Sequence, residues 1–132
     1  MKIVKDGNCG PRAISVFVWG RQDKFKTVRE DVYLSQVKKL KEAHKDSSDT
    51  LAFKSKLKSI LNMRKDKTWF TDIELQECSN LYNLDIVLFS VLHEMRFMDS
   101  LITPFAPDVS KIRVPCYLLH HDFHYTVLRH RF

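Results

Sequence analysis

No stretch of the chain is apolar for long enough to cross a membrane, and its first residues, Met1-Lys2-Ile3-Val4-Lys5-Asp6, lack a signal-peptide core. There is no Cys-x-x-Cys pair, no glycine-rich or arginine-rich nucleic-acid motif, no internal repeat, no low-complexity segment and no interdomain linker. Cysteine itself is scarce. Cys9, Cys78 and Cys116 are an odd, widely spaced set, which points to reduced thiols in a cytosol-like compartment rather than to a disulfide framework. What remains is the composition of an ordinary soluble globule, 44% hydrophobic and 29% charged. Its 132 residues are expected to form one domain, 1–132, with a single core, whether by itself or as part of a larger protein.

Positive charge is concentrated in residues 21–67, which hold 14 Lys and Arg against 7 Asp and Glu. A basic segment can attract nucleic acid or an anionic surface. Without an accompanying motif, Lys38, Lys39, Lys41, Lys45, Lys54, Lys56 and Lys58 are better read as the solvated faces of two helices, so neither a nucleic-acid nor a membrane partner is expected.

Hydrophobic periodicity places four helices ahead of the strands. The first runs from about Gly10 to Trp19, carries Ala13, Ile14, Phe17 and Val18 at helical spacing, and stops at Gly20. Thr27-Val28-Arg29-Glu30 fits a capping box opening the second, with Val28, Val32, Tyr33, Val37 and Leu40 on one face. The third follows an N-cap at Ser48 or Asp49 and carries Phe53, Leu57, Ile60 and Leu61. A second capping box, Thr71-Asp72-Ile73-Glu74, opens the fourth, which continues to about Tyr82. The period then changes. Asp85 to Val91 reads as a central strand, and Met95–Met98 and Leu101–Thr103 as shorter, more exposed ones. Pro115–Leu119 and Phe123–Leu128 form a hairpin around His120-His121-Asp122. Helices followed by strands argue for an α+β domain with helices packed on a small central sheet.

The chemistry lies at the two ends of the chain. Asp6-Gly7-Asn8 is a run of turn formers, and Pro11 belongs in a first helical turn, so Cys9 falls at a helix N-terminus on an exposed loop edge. Helix N-termini present unpaired N–H groups and partial positive charge, an environment that favours a thiolate. The alternative is a buried, inert small hydrophobe, as most free cysteines are. A thiol nucleophile needs a histidine base and a group to orient that base. Of the six histidines, His44, His93 and His130 lie in a polar helix end, a turn and a terminus. His124 is preferred over His120 and His121 because it sits within an alternating strand between Phe123 and Tyr125. Thr126 and Asp122 share its face and Asp6 is close to Cys9 in sequence, so all three are open as orienters. A zinc site from Cys116, His120, His121 and His124 is disfavoured by its spacing.

Asp6-Gly7-Asn8-Cys9 with Arg12-Ala13, then Val28-Arg29, then Trp69 through Glu74-Leu75-Gln76 leading to Asp85-Ile86-Val87-Leu88, and finally His124-Tyr125 with Val127-Leu128, together resemble the ovarian-tumour (OTU) family of deubiquitinating cysteine proteases. The resemblance implies a papain-like fold of OTU type, no metal or other cofactor, and hydrolysis after the C-terminal Gly-Gly of ubiquitin or a ubiquitin-like modifier. Cys9 would be the nucleophile, His124 the general base and acid, and backbone N–H groups of the Asp6–Cys9 loop the oxyanion donors. The family usually has Asn or Asp two residues after the histidine, where this chain has Thr126. A catalytically weak ubiquitin-binding module is therefore an alternative. The compactness resembles viral OTU domains, for which polyprotein processing would be a second activity and the host cytoplasm the location. A monomer is expected. Trp69-Phe70 either walls the substrate channel, with Trp69 in contact with substrate, or anchors the core.

Overall fold

In the computed structural model, which describes residues 2–45, 48–92, 96–121 and 124–128, helix α1 spans Cys9–Trp19 and stops where Gly20 adopts the left-handed conformation. The Ser15 hydroxyl donates to the Arg21 carbonyl and accepts from the Lys24 N–H at 3.2 Å, which fixes the corner after α1. A single 3₁₀ turn, Gln22–Lys24, leads directly into α2, Phe25–Ala43. The capping box expected at Thr27 is therefore not formed. Thr27 lies inside a helix that begins two residues earlier, where Phe25 packs its ring 4.1 Å under the Arg12 guanidinium.

Helix α3, Thr50–Arg64, is capped by the Asp49 carboxylate on the Ala52 N–H at 3.0 Å. It lies over α2, with Arg64 paired to Glu30 at 3.0 Å, and buries none of its residues. Lys38, Lys39, Lys41, Lys45, Lys54, Lys56 and Lys58 are all exposed. Helix α4, Asp72–Tyr82, opens with the expected reciprocal capping box of Thr71 and Glu74. No helix among the described residues is long and apolar enough to cross a membrane.

The sheet has the order β2-β1-β3-β4. Strand β1, Leu84–Leu92, is the β-branched run read as central; it pairs parallel with β3, Val114–His121, and antiparallel with β2, Arg96–Ile102. The two short strands expected around residues 95–103 are one strand. Backbone pairing runs through Asp99 and Ser100 opposite Phe89 and Leu88, because a ladder uses main-chain groups whatever the side chain. Strand β4, His124–Leu128, closes the sheet on β3. Ile14, Val28, Leu75, Ile86, Leu118 and Val127 form the core between helices and sheet. The architecture is the α+β arrangement that the element order implied.

Gly10 sets how closely α1 can approach Phe70, two residues before α4. A Cβ at position 10 would meet the Phe70 Cβ at 2.8 Å, and Phe70 is held in turn by the Tyr125 hydroxyl on its carbonyl at 2.9 Å. Gly→Ala inside a helix ordinarily gains about 0.5–1 kcal/mol. Here the overlap reverses the sign: Gly10→Ala is expected to lose about 1–3 kcal/mol in chemical denaturation. A variant as stable as the parent or more so would contradict this packing.

Candidate active site

The Asp6–Cys9 loop is built around two polar side chains. Asp6 takes a bidentate grip from Arg12, with Nη2 at 2.7 Å, and accepts the Asn8 N–H at 3.0 Å. That pair spans the loop and the first turn of α1. Gly7 turns the chain at a φ of 81°, with its Cα so close to Lys67 that a Cβ would lie 2.6 Å from the Lys67 carbonyl. Asn8, the residue before α1, directs its side chain inward. Its Oδ1 accepts from Arg29 Nε and Nη2 at 2.9 and 2.7 Å and from the Lys67 N–H at 3.0 Å, while Nδ2 donates to Asp66 at 2.8 Å. Arg29, on α2 and 5% exposed, also donates to the carbonyls of Gly7, Met63 and Thr68.

Cys9 is thereby fixed as the first residue of α1, but it is not at an exposed edge: only 2% of its surface is accessible. The reason is β4. In an antiparallel pair alternate N–H groups point away from the partner strand, and as an edge strand β4 turns that of Tyr125 outward. The Tyr125 N–H meets Cys9 Sγ at 3.4 Å. The residue beside Tyr125 is His124. Cys9 and His124 line one cleft of about 430 Å³ together with Gly7, Trp69, Leu119 and Thr126. Burial pushes the His124 pKa down, and the positive charge of Lys5 adds to the effect.

Alternation along β4 puts Tyr125 and Val127 in the core and His124 and Thr126 on the cleft side. Phe123, and Asp122 as a candidate orienter, lie outside the described residues. Asp6 is close to Cys9, but its carboxylate is held by Arg12 and Asn8. His120 and His121 are not a hairpin tip; both belong to β3. His120 stacks on Tyr125 with ring centroids 4.6 Å apart, and His121 pairs with His124 and lines the cleft. Cys116 lies in the core, and among the described residues no three His, Cys, Asp or Glu side chains gather to hold a metal. Trp69 and Phe70 divide the two roles considered for them. Trp69 is 51% exposed on the cleft wall, whereas Phe70 is 4% exposed beneath Gly10.

A cysteine at a helix N-terminus and a histidine on the neighbouring edge strand, opening into one cleft, is the arrangement of a thiol hydrolase. The family model described as OTU-like cysteine protease matches residues 4–122. The chain belongs to this OTU family. No curated protein matches it by sequence. Among solved structures it is similar to the OTU domain of OTUD1, at 22% identity and a TM-score of 0.73 over 98% of this chain and 84% of that one. It is also similar to the viral OTU domain protease from Farallon virus, at 18% identity and a TM-score of 0.64 over 97% and 84%. A third match is the viral OTU domain protease from Qalyub virus, at 17% identity and 0.62 over 95% and 79%. At these identities the similarity carries the fold, α+β with a papain-like OTU architecture.

Within this OTU domain, the residues that sequence reasoning undervalued are Arg29 and Asn8. The available signal was an arginine next to the apolar stripe of Val28 and Val32, since a cation that close to a core needs partners there. Asp6 supplies a pH test. Arg12 holds its carboxyl down at about 2, assisted by the Asn8 N–H and opposed by burial. The folded value lies below the unfolded one, so the stabilisation is complete above roughly pH 4 and disappears as pH falls through about 2. Asp6→Asn is expected to flatten the stability-versus-pH curve between those values, measured by denaturant titration at each pH. An unchanged curve would mean that Asp6 is not so paired.

Proposed function

We propose that this OTU protease is a deubiquitinase, hydrolysing the isopeptide or peptide bond after the C-terminal Gly-Gly of ubiquitin or a ubiquitin-like modifier. The observation that carries the reading is the Tyr125 N–H on Cys9 Sγ, which ties the start of α1 to the strand of His124. His124, with its pKa lowered by burial, is neutral near pH 7 and able to accept a proton. It takes the proton of Cys9 as the sulfur attacks the carbonyl carbon of the terminal glycine. The resulting oxyanion is met by backbone N–H groups of the Asp6–Cys9 loop other than that of Asn8, which is donated to Asp6. Donors so placed are worth about 3 kcal/mol each. Collapse expels the amine, which receives the proton from His124, and leaves a thioester on Cys9. Water, deprotonated by His124, then releases the carboxylate and restores the thiol.

The cleft suits a tail without side chains. Gly7, Cys9 and the exposed Trp69 all line it, and two consecutive glycines ask the least room of such a lining. Trp69→Ala is accordingly expected to raise KM for ubiquitin substrates with little change in melting temperature, since half of the indole already faces solvent.

The direct test is incubation with ubiquitin bearing an electrophilic C-terminus, followed by intact-mass and peptide mapping, then a panel of di-ubiquitins and ubiquitin-like fusions. One adduct on Cys9, absent from Cys9→Ala, is the expected result. Binding with no adduct would make the chain a ubiquitin-recognition module, and neither binding nor adduct across the panel would overturn the substrate class.

A further inference from the structure

We propose that His121 is the positioning residue for His124, in place of the carboxylate or amide that Thr126 does not provide. The inference rests on the reading of Cys9 and His124 as nucleophile and base. Strand β3 pairs His121 directly with His124, and both side chains line the Cys9 cleft. Because the Tyr125 N–H points outward to Cys9, the alternation of the ladder makes His121 and His124 a hydrogen-bonded backbone pair. Side chains of directly opposed residues stand about 4.5–5.5 Å apart at Cβ, within reach of one ring for another.

The other candidates among the described residues are weaker. Asp6 is committed to Arg12 and Asn8. Thr126 lies along the same strand, two residues from His124 on the same face, and offers a hydroxyl. A neutral imidazole is the better acceptor: it takes the ring N–H of His124 that faces away from the sulfur, fixes the tautomer, and strengthens its hold when His124 becomes cationic. No proton leaves His121 in this role. Its limit is equally physical, because a protonated His121 cannot accept and repels the imidazolium. Facing the pair are Lys2 and Lys5 of the N-terminal segment and Cys9 of α1, and burial together with the positive charge of Lys5 holds His124 toward its neutral form.

The test compares His121→Ala with His121→Gln, whose side-chain carbonyl accepts but does not titrate. With a fluorogenic ubiquitin substrate, His121→Ala is expected to lose tenfold or more in kcat with KM within twofold, and His121→Gln to recover most of the loss. Ring ¹⁵N shifts of His124 should report one tautomer in the parent and a mixture in His121→Ala, a readout that needs no substrate. If the parent shows no Cys9-dependent turnover but the tautomer responds, the substrate reading fails and the positioning role stands. A His124 tautomer unchanged in His121→Ala would overturn the proposal, as would kcat within twofold of the parent or equal impairment of both variants.

Discussion

A guanidinium with almost no accessible surface must find its acceptors inside the protein, and the rest of this active site depends on where Arg29 finds them. Its Nε, Nη1 and Nη2 donate to the Asn8 side chain and to the carbonyls of Gly7, Met63 and Thr68. One residue of α2 therefore joins the Asp6–Cys9 loop, the end of α3 and the segment leading to Trp69. Burial works against the cation, while the negative charges of Asp66 and Asp6 support it. Asparagine at position 8 completes the arrangement for a reason specific to its amide: one end accepts from Arg29 while the other donates to Asp66. An aspartate there would have to face that carboxylate, and a leucine would leave the guanidinium without the acceptor that its Nε and Nη2 share.

With the loop fixed, the edge of the sheet does the rest. An open edge strand is usually a liability, because its outward N–H groups invite another chain. Here α1 packs against β4, and the outward Tyr125 N–H is directed at the Cys9 sulfur. The same strand turns Tyr125 into the core, where its hydroxyl holds the Phe70 carbonyl, and turns His124 toward the cleft. The aromatic that anchors the strand and the histidine that serves the cleft are neighbours in sequence because strand alternation sends them to opposite faces.

Much of this was legible in the chain, and what was not has physical causes. Local signals fared best: Gly20 stopped α1, Asp49 capped α3, the Thr71–Glu74 box opened α4, and the β-branched run made β1. The Thr27 box looked equally good, but a 3₁₀ turn and the packing of Phe25 started that helix early. Asp99 and Ser100 seemed to end a strand because polarity was read as a break, although edge pairing needs only backbone. The role of Trp69 was undecided between wall and core, yet adjacent residues in an extended segment point opposite ways, so one ring outside and one inside was available from alternation. His120 and His121 were read as a hairpin tip, which concealed the direct pairing of His121 with His124. The partners of Arg29 could not be read at all, since they are brought from three separate segments by the fold alone.

Of the three buried cysteines, Cys9 alone lines the cleft of His124. Burial pushes the Cys78 thiol well above its ordinary pKa and the Cys116 thiol up to about 12, whereas Cys9 opens on the His124 cleft. Time-resolved alkylation near neutral pH, with peptide mass mapping of the folded protein, measures this directly. Cys9 is expected to be modified well before the other two, and His124→Ala to remove its lead. Modification of Cys78 or Cys116 first, or a Cys9 rate indifferent to His124, would contradict it.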